Sequence, residues 1–143
     1  MPNSLNVLGL ARKAGLIETG EEAAGIACRA GKARLLIVAS DASDNARRRA
    51  DHFTAAGHVL RLDLTYTKAE VGGALGAGTP SMAALTDAGM AALFVQKLSV
   101  EFPGVYDAQL AVLEEKAARV QARKKEAAAH QRNVKMGKRR TKR

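Results

Sequence analysis

The side chains in this chain best equipped for chemistry are its cations, and they are segregated. Residues 1–113 carry eleven Lys/Arg against eleven Asp/Glu, whereas Glu114–Arg143 carry twelve against three, so the whole net charge of +9 lies in that final segment. Each phosphate neutralised by Lys or Arg releases condensed counterions, which suits a neutral body with a polycationic extension to being held on nucleic acid. Lys138, Arg139 and Arg140, with Lys142 and Arg143, can grip phosphate without reading sequence. A targeting or solubilising basic end is the alternative for the same run.

The other reactive types do not assemble. His52, His58 and His130 are scattered, and the lone Cys28 sits in an apolar helical stretch, where it reads as a buried small hydrophobe. Neither a metal cluster nor a nucleophile–base pair can be built from them, so no enzyme, no metal and no cofactor are expected. Gly73–Gly78 lacks the glycine spacing and the following Lys-Ser/Thr of a phosphate-cradling loop. Five aromatic residues and no Trp argue against a stacking platform for single strands. Met1–Gly15 is interrupted by Arg12 and Lys13 and is neither a signal peptide nor a membrane span, so an intracellular, soluble and cytoplasmic protein is expected.

The elements that must position these side chains follow from periodicity. Ser4 is expected to cap a first helix carrying Leu5, Leu8 and Ala11, closed by Gly15. Leu16–Thr19 reads as a short extended piece, and Gly20-Glu21-Glu22 as the acidic start of a second helix ending at Gly31. Leu35–Ala39 is an apolar run bounded by polar residues, which fits a strand covered on both faces. Ser43 is placed to cap a helix to Ala56, closed by Gly57. His58–Leu62 reads as a strand, Lys68–Leu75 as a helix weakened by Gly72 and Gly73, Met82–Thr86 as a strand and Gly89–Leu98 as a helix. Strands alternating with helices predict a three-layer α/β/α sandwich on a small mixed sheet over residues 1–98.

Ser99–Gly104 reads as a linker and domain boundary. Residues 105–130 are expected to form a helix whose stripe Tyr106, Leu110, Leu113, Ala117 and Val120 docks on the body or on a partner. Gln131–Arg143 has too little apolar surface to offset the entropy of ordering and is expected to be disordered when free.

The strings Leu8-Gly9-Leu10-Ala11-Arg12-Lys13-Ala14-Gly15, Thr19-Gly20-Glu21-Glu22, Gly31–Ser43, Val71-Gly72 and Leu75-Gly76, in this order over about residues 4–98, resemble the kink-turn-binding ribosomal protein family of the archaeal large subunit, and more closely its short bacterial homologues. That resemblance implies RNA held at three neighbouring loop regions. By position they are Gly20, Glu21 and Glu22; Asp41, Ala42 and Ser43; and Gly76, Ala77, Gly78, Thr79, Pro80 and Ser81. A helix start offers free N–H groups and a positive dipole end, and small residues allow close approach of an RNA backbone. Where kink-turn binders carry an Asn and, one turn on, a Lys, this chain has Glu22 and Ile26.

Lys32, Arg34, Arg47 and Arg48 complete the candidate RNA contacts. Arg47-Arg48-Arg49 opposes the dipole of its own helix, which suggests an external anion, with a solvated face as the alternative. The resemblance thus implies a non-enzymatic RNA-binding protein associated with ribosomal or other structured RNA, or a ribonucleoprotein, and the charge of the arm, which the resemblance does not cover, adds phosphate contacts. A protein-interaction adaptor of the same fold and a nucleic-acid-coating protein driven by the tail are the alternatives.

Overall fold

Leu35, Leu36, Ile37 and Val38 are each 0–1% exposed, and a strand can bury consecutive side chains only if both its faces are covered. The protein is built around that strand. The structure, a computed structural model, describes residues 2–76 and 78–141, with side chains described as far as Gln131. Its elements are α1 (Asn3–Lys13), β1 (Ile17–Thr19), α2 (Glu21–Arg29), β2 (Leu35–Val38), α3 (Asp44–Gly57), β3 (Leu60–Asp63), α4 (Lys68–Leu75), β4 (Met82–Leu85), α5 (Ala88–Glu101) and α6 (Asp107–Thr141). The sheet has the order β1-β4-β2-β3, with β2 parallel to β3 and β4 antiparallel to both β1 and β2. The expected three-layer α/β/α sandwich on a small mixed sheet is therefore present.

The two-residue period of the strands divides the core in two. Leu35, Ile37, Ala83 and Leu85 face a core shared with α1, α4, α5 and the first turns of α6. Leu36, Val38, Met82 and Ala84 face a smaller core closed by α2 and α3, where Cys28 is fully buried. Burial pushes the Cys28 thiol above its ordinary pKa, as befits a packing residue, with the neighbouring Arg29 pulling the other way. Ala24, Ala27, Ala46 and Ala50 let α2 and α3 sit close. Gly25 is required there because a Cβ would lie 2.6 Å from the Phe53 ring.

The stripe on α6 docks on the body. Tyr106 and Leu113 are buried in the larger core, with Leu110 and Ala117 packed against it, and the Tyr106 hydroxyl donates to the Asp63 carbonyl at 2.9 Å. Beyond Gln121 the described residues are exposed, apart from the half-buried Ala129. The backbone of α6 continues to Thr141. Of the tail expected to be disordered, Gln131–Arg143, the backbone is helical as far as Thr141, while its side chains from position 132 on lie outside the described residues.

Three local expectations are corrected. Ser4 does not cap α1, which starts at Asn3 after Pro2; it is fully buried and serves the far end of the chain. Its hydroxyl and that of Tyr66 both donate to one carboxylate oxygen of Glu101, while its N–H donates to the other at 3.0 Å. For the same reason α5 runs on through Ser99 and Val100 to Glu101, past the expected break, and stops at Phe102 before Pro103. Finally, the left-handed residue after α3 is His58, with φ +51°, while Gly57 is helical. A Cβ at position 57 would lie 2.4 Å from the Cys28 carbonyl oxygen, so the glycine serves helix–helix approach.

Burial alone would raise the Glu101 carboxyl, but the donors of Ser4 and Tyr66 outweigh it and hold the group below the usual carboxylate range. A depressed folded pKa stabilises above the unfolded value and is lost as pH falls through the folded one. Glu101→Gln should thus lower stability by about 1–3 kcal/mol at neutral pH, the range for a charge-assisted hydrogen bond. In denaturant melts the gap to the parent should narrow steadily as the solution is acidified through the carboxylate range.

Candidate nucleic-acid interface

The antiparallel register brings three loops to one end of the sheet. β1 pairs with β4 so that Thr19 opposes Ala83, and β2 pairs with β4 so that Val38 opposes Met82. The exit of β1, the exit of β2 and the entry to β4 therefore meet. Gly20 donates its N–H to the Met82 carbonyl at 2.9 Å, and Ala39 donates to the Ser81 carbonyl at 2.8 Å. The Asp41 carboxylate accepts from the Lys68 N–H at 2.8 Å, tying the loop after β2 to the start of α4. The groups Gly20–Glu22, Asp41–Ser43 and Gly78–Ser81 are thus neighbours, as expected; Gly76 is the left-handed C-cap of α4, and Ala77 lies outside the described residues.

The glycines at this end have separate roles. Gly20 has φ +92° at the N-cap of α2, a conformation that favours glycine. A side chain at Gly72 would place its Cβ 1.8 Å from the Gly78 carbonyl oxygen. The glycine that weakens α4 as a helix is what lets the loop before β4 fold down against it.

The helix starts differ in how they are satisfied. Ser43 caps α3, Thr67 and Glu70 form a capping box on α4, and Asp87 caps α5. No side chain caps α2 among the described residues, so its first N–H groups and positive dipole end face the loop cluster. Glu21 and Glu22 share that first turn. Glu21 is engaged on both oxygens: it accepts from the Ser81 hydroxyl at 3.3 Å and pairs with Arg49 at 2.7 Å. Glu22 is exposed.

The arginine run is largely absorbed by the protein itself. Arg47 donates to the Ser40 carbonyl at 2.7 Å and the Ala42 carbonyl at 3.3 Å, which fixes the loop between β2 and α3. Arg48 donates to the Asn45 side chain and Arg49 to Glu21. These partners account for three cations near a helix start without an external anion, and no spacing rule in the sequence reveals backbone carbonyls as acceptors. Sequence reasoning also missed the Glu21–Arg49 pair, which joins residues 28 apart.

Lys32 and Arg34 are not part of this cluster. They precede β2, and the Arg34 N–H donates to the Leu85 carbonyl at 2.7 Å, at the opposite end of the sheet. The side chains of Lys138, Arg139 and Arg140 lie outside the described residues. Among the described residues no group of His, Cys, Asp and Glu is arranged to hold a metal, and no helix is long and apolar enough to cross a membrane.

No protein-family model and no curated protein matches the chain. Among solved structures it is similar to a protein of unknown function from Bacillus halodurans C, with a TM-score of 0.62 and 23% identity over 69% of this chain and 99% of that one. It is also similar to the 15.5kD RNA binding protein of Giardia lamblia, with a TM-score of 0.53 and 20% identity over 67% of this chain and 82% of that one. What is shared at these identities is the fold.

Two adjacent glycines of α4 separate the role of the loop contact from helix propensity. Gly73→Ala, with no atom within 4 Å of the new Cβ, should stabilise by up to about 1 kcal/mol. Gly72→Ala should destabilise by about 1–3 kcal/mol as an overpacked contact, and amide spectra should show the change centred on Gly78–Met82. Equal effects of the two substitutions would refute the close approach.

Proposed function

We propose that this protein is a non-enzymatic RNA-binding protein that takes structured RNA, of the ribosomal or ribonucleoprotein kind, at its loop end. The observation that carries this reading is the convergence of three short loops of small residues around the uncapped start of α2. Backbone N–H groups at such a start donate to a phosphate or to acceptors on a base edge without a dedicated side chain. Gly20, Gly76, Gly78 and Thr79 leave the surface low enough for a nucleic-acid backbone to come near. The likeness in fold to a solved RNA-binding protein supports the same reading.

In this reading the loop end selects the RNA by shape and the basic arm of α6 holds it. The chemistry of the two parts differs accordingly. Loop contacts depend on the geometry of a bent or unpaired segment, whereas Lys and Arg on an exposed helix meet phosphates of any sequence. Glu22 and Ile26 make the α2 start a weak version of the kink-turn surface, because a carboxylate repels phosphate and an isoleucine, 54% exposed here, offers it nothing.

Gel-shift titration of the full chain tests this against an RNA with a helix–internal loop–helix bend and against its fully paired counterpart. The bent RNA should be preferred; equal binding to both would refute selection by the loop end. Glu22→Asn combined with Ile26→Lys should strengthen binding to the bent RNA by about tenfold, equivalent to 1.4 kcal/mol. Removing residues 131–143 takes away seven basic residues. It should flatten the log affinity against log salt plot by about 0.7–0.9 per lost phosphate contact, while the ranking of RNAs stays unchanged.

A further inference from the structure

At the end of the sheet opposite the loop cluster, Arg34, His58, Lys116, Arg119 and Arg123 line one cleft of about 240 Å³, with Ala88 at the start of α5 forming part of its wall. We propose that this cleft is a second nucleic-acid contact, a seat for the phosphodiester backbone of the RNA taken at the loop end. The choice of RNA rests on the functional reading above. The phosphate chemistry does not, because it is set by the residues of the cleft.

Four observations carry it. The cations come from two separate parts of the chain, the loop before β2 and α6, and no Asp or Glu lines the cleft. Lys116, Arg119 and Arg123 recur at helical spacing on one face of α6, where like charges destabilise an isolated helix unless something of opposite charge lies against them. Arg119 pairs with Glu115 one turn back, while Arg34, Lys116 and Arg123 have no ion-pair partner among the described residues. This contrasts with the loop end, where Arg47, Arg48 and Arg49 each have an internal acceptor.

The second observation is the dipole. α5 is 14 residues long and begins at the cleft wall, so its positive end adds to the same field, offset in part by the Asp87 cap. The third is His58, exposed and held at φ +51° two residues before β3, where the left-handed backbone turns its position to the cleft rim. The fourth is continuity. Beyond the cleft α6 carries Lys124 and Lys125 on the faces beside that of Arg123, with Glu126 one turn on, so a bound chain of phosphates finds further cations only by passing around the helix. A small phosphate metabolite gains nothing from that extension, and no Phe, Tyr or Trp lines the cleft, His58 at the rim being its one ring.

The test is fluorescence anisotropy of the full chain with a labelled structured RNA. The combined variant Arg34→Gln/Lys116→Gln/Arg123→Gln changes only exposed side chains, and a melt confirms its fold. It should weaken binding at least tenfold at low salt and reduce the salt slope by about 2, with the preference between bent and fully paired RNA unchanged. Arg34→Glu alone, on a different element from α6, should produce a smaller loss in the same direction. His58→Gly should bind RNA more weakly while melting no lower than the parent. Affinity and slope equal to the parent in the triple variant would overturn the proposal.

Inorganic polyphosphate supplies an arm independent of the RNA reading. If the parent shows no preference among RNAs, the loop-end function fails, yet the cleft predicts that polyphosphate binding is still weakened by the triple variant. Binding unaffected by the variant refutes the cleft. Inorganic phosphate should compete no better than sulfate at matched ionic strength; specific displacement by phosphate would show a small-ion pocket and overturn the backbone assignment.

Discussion

The rest of the fold depends on β2 having no wet face. Four consecutive apolar side chains, each worth about 1.5–3 kcal/mol when fully buried, stabilise the protein only if helices cover the sheet from both sides. α2 and α3 supply one cover, and α1, α4, α5 and the first turns of α6 supply the other. β4 lies antiparallel beside β2, and β1 antiparallel beside β4, so the connections after β1 and β2 and before β4 emerge at one end. The loop cluster follows from that strand order.

That constraint explains which features were legible in the sequence. The strand expected over Leu35–Ala39, the Ser43 cap and the bounds of α4 rest on local rules, namely an apolar run between polar residues, a side-chain oxygen before a helix, and helical spacing. The cap and α4 appear as expected, and the strand ends one residue earlier, at Val38. Ser4, Gly57 and the end of α5 were misread because their roles lie far away in sequence. Ser4 meets Glu101 across 97 positions, and Gly57 answers to the Cys28 carbonyl. A residue type suggests what a position can do locally, and a distant partner can overrule it.

The candidate site was legible in the same uneven way. The neighbourhood of the three loop groups was expected only from the family resemblance, and the strand order accounts for it. The use of the arginines was not, because Arg47 satisfies loop carbonyls and Arg49 a carboxylate on another helix. Lys32 and Arg34 are close to the loop residues in sequence, but the length of β2 separates them in space. The face of α6 that meets Arg34 carries a signal at steps of three and four from Lys116 to Arg123. It was obscured because the overall charge of the segment suggests a diffuse tail.

Charge and burial are divided along α6 itself. Its apolar stripe ends at Val120, so packing holds the helix to the body only that far, and exposed Gln, Ala, Lys and Arg follow. Those residues are good helix formers, but an isolated helix of modest length is marginal in water, and neighbouring like charges weaken it further. The helical order of this extension therefore depends on the ionic surroundings in a way that the order of the core does not. A polyanion lying along it would relieve the repulsion and stabilise the helix at once. The body, whose charges balance and whose order rests on hydrophobic burial, has no such dependence built into its core.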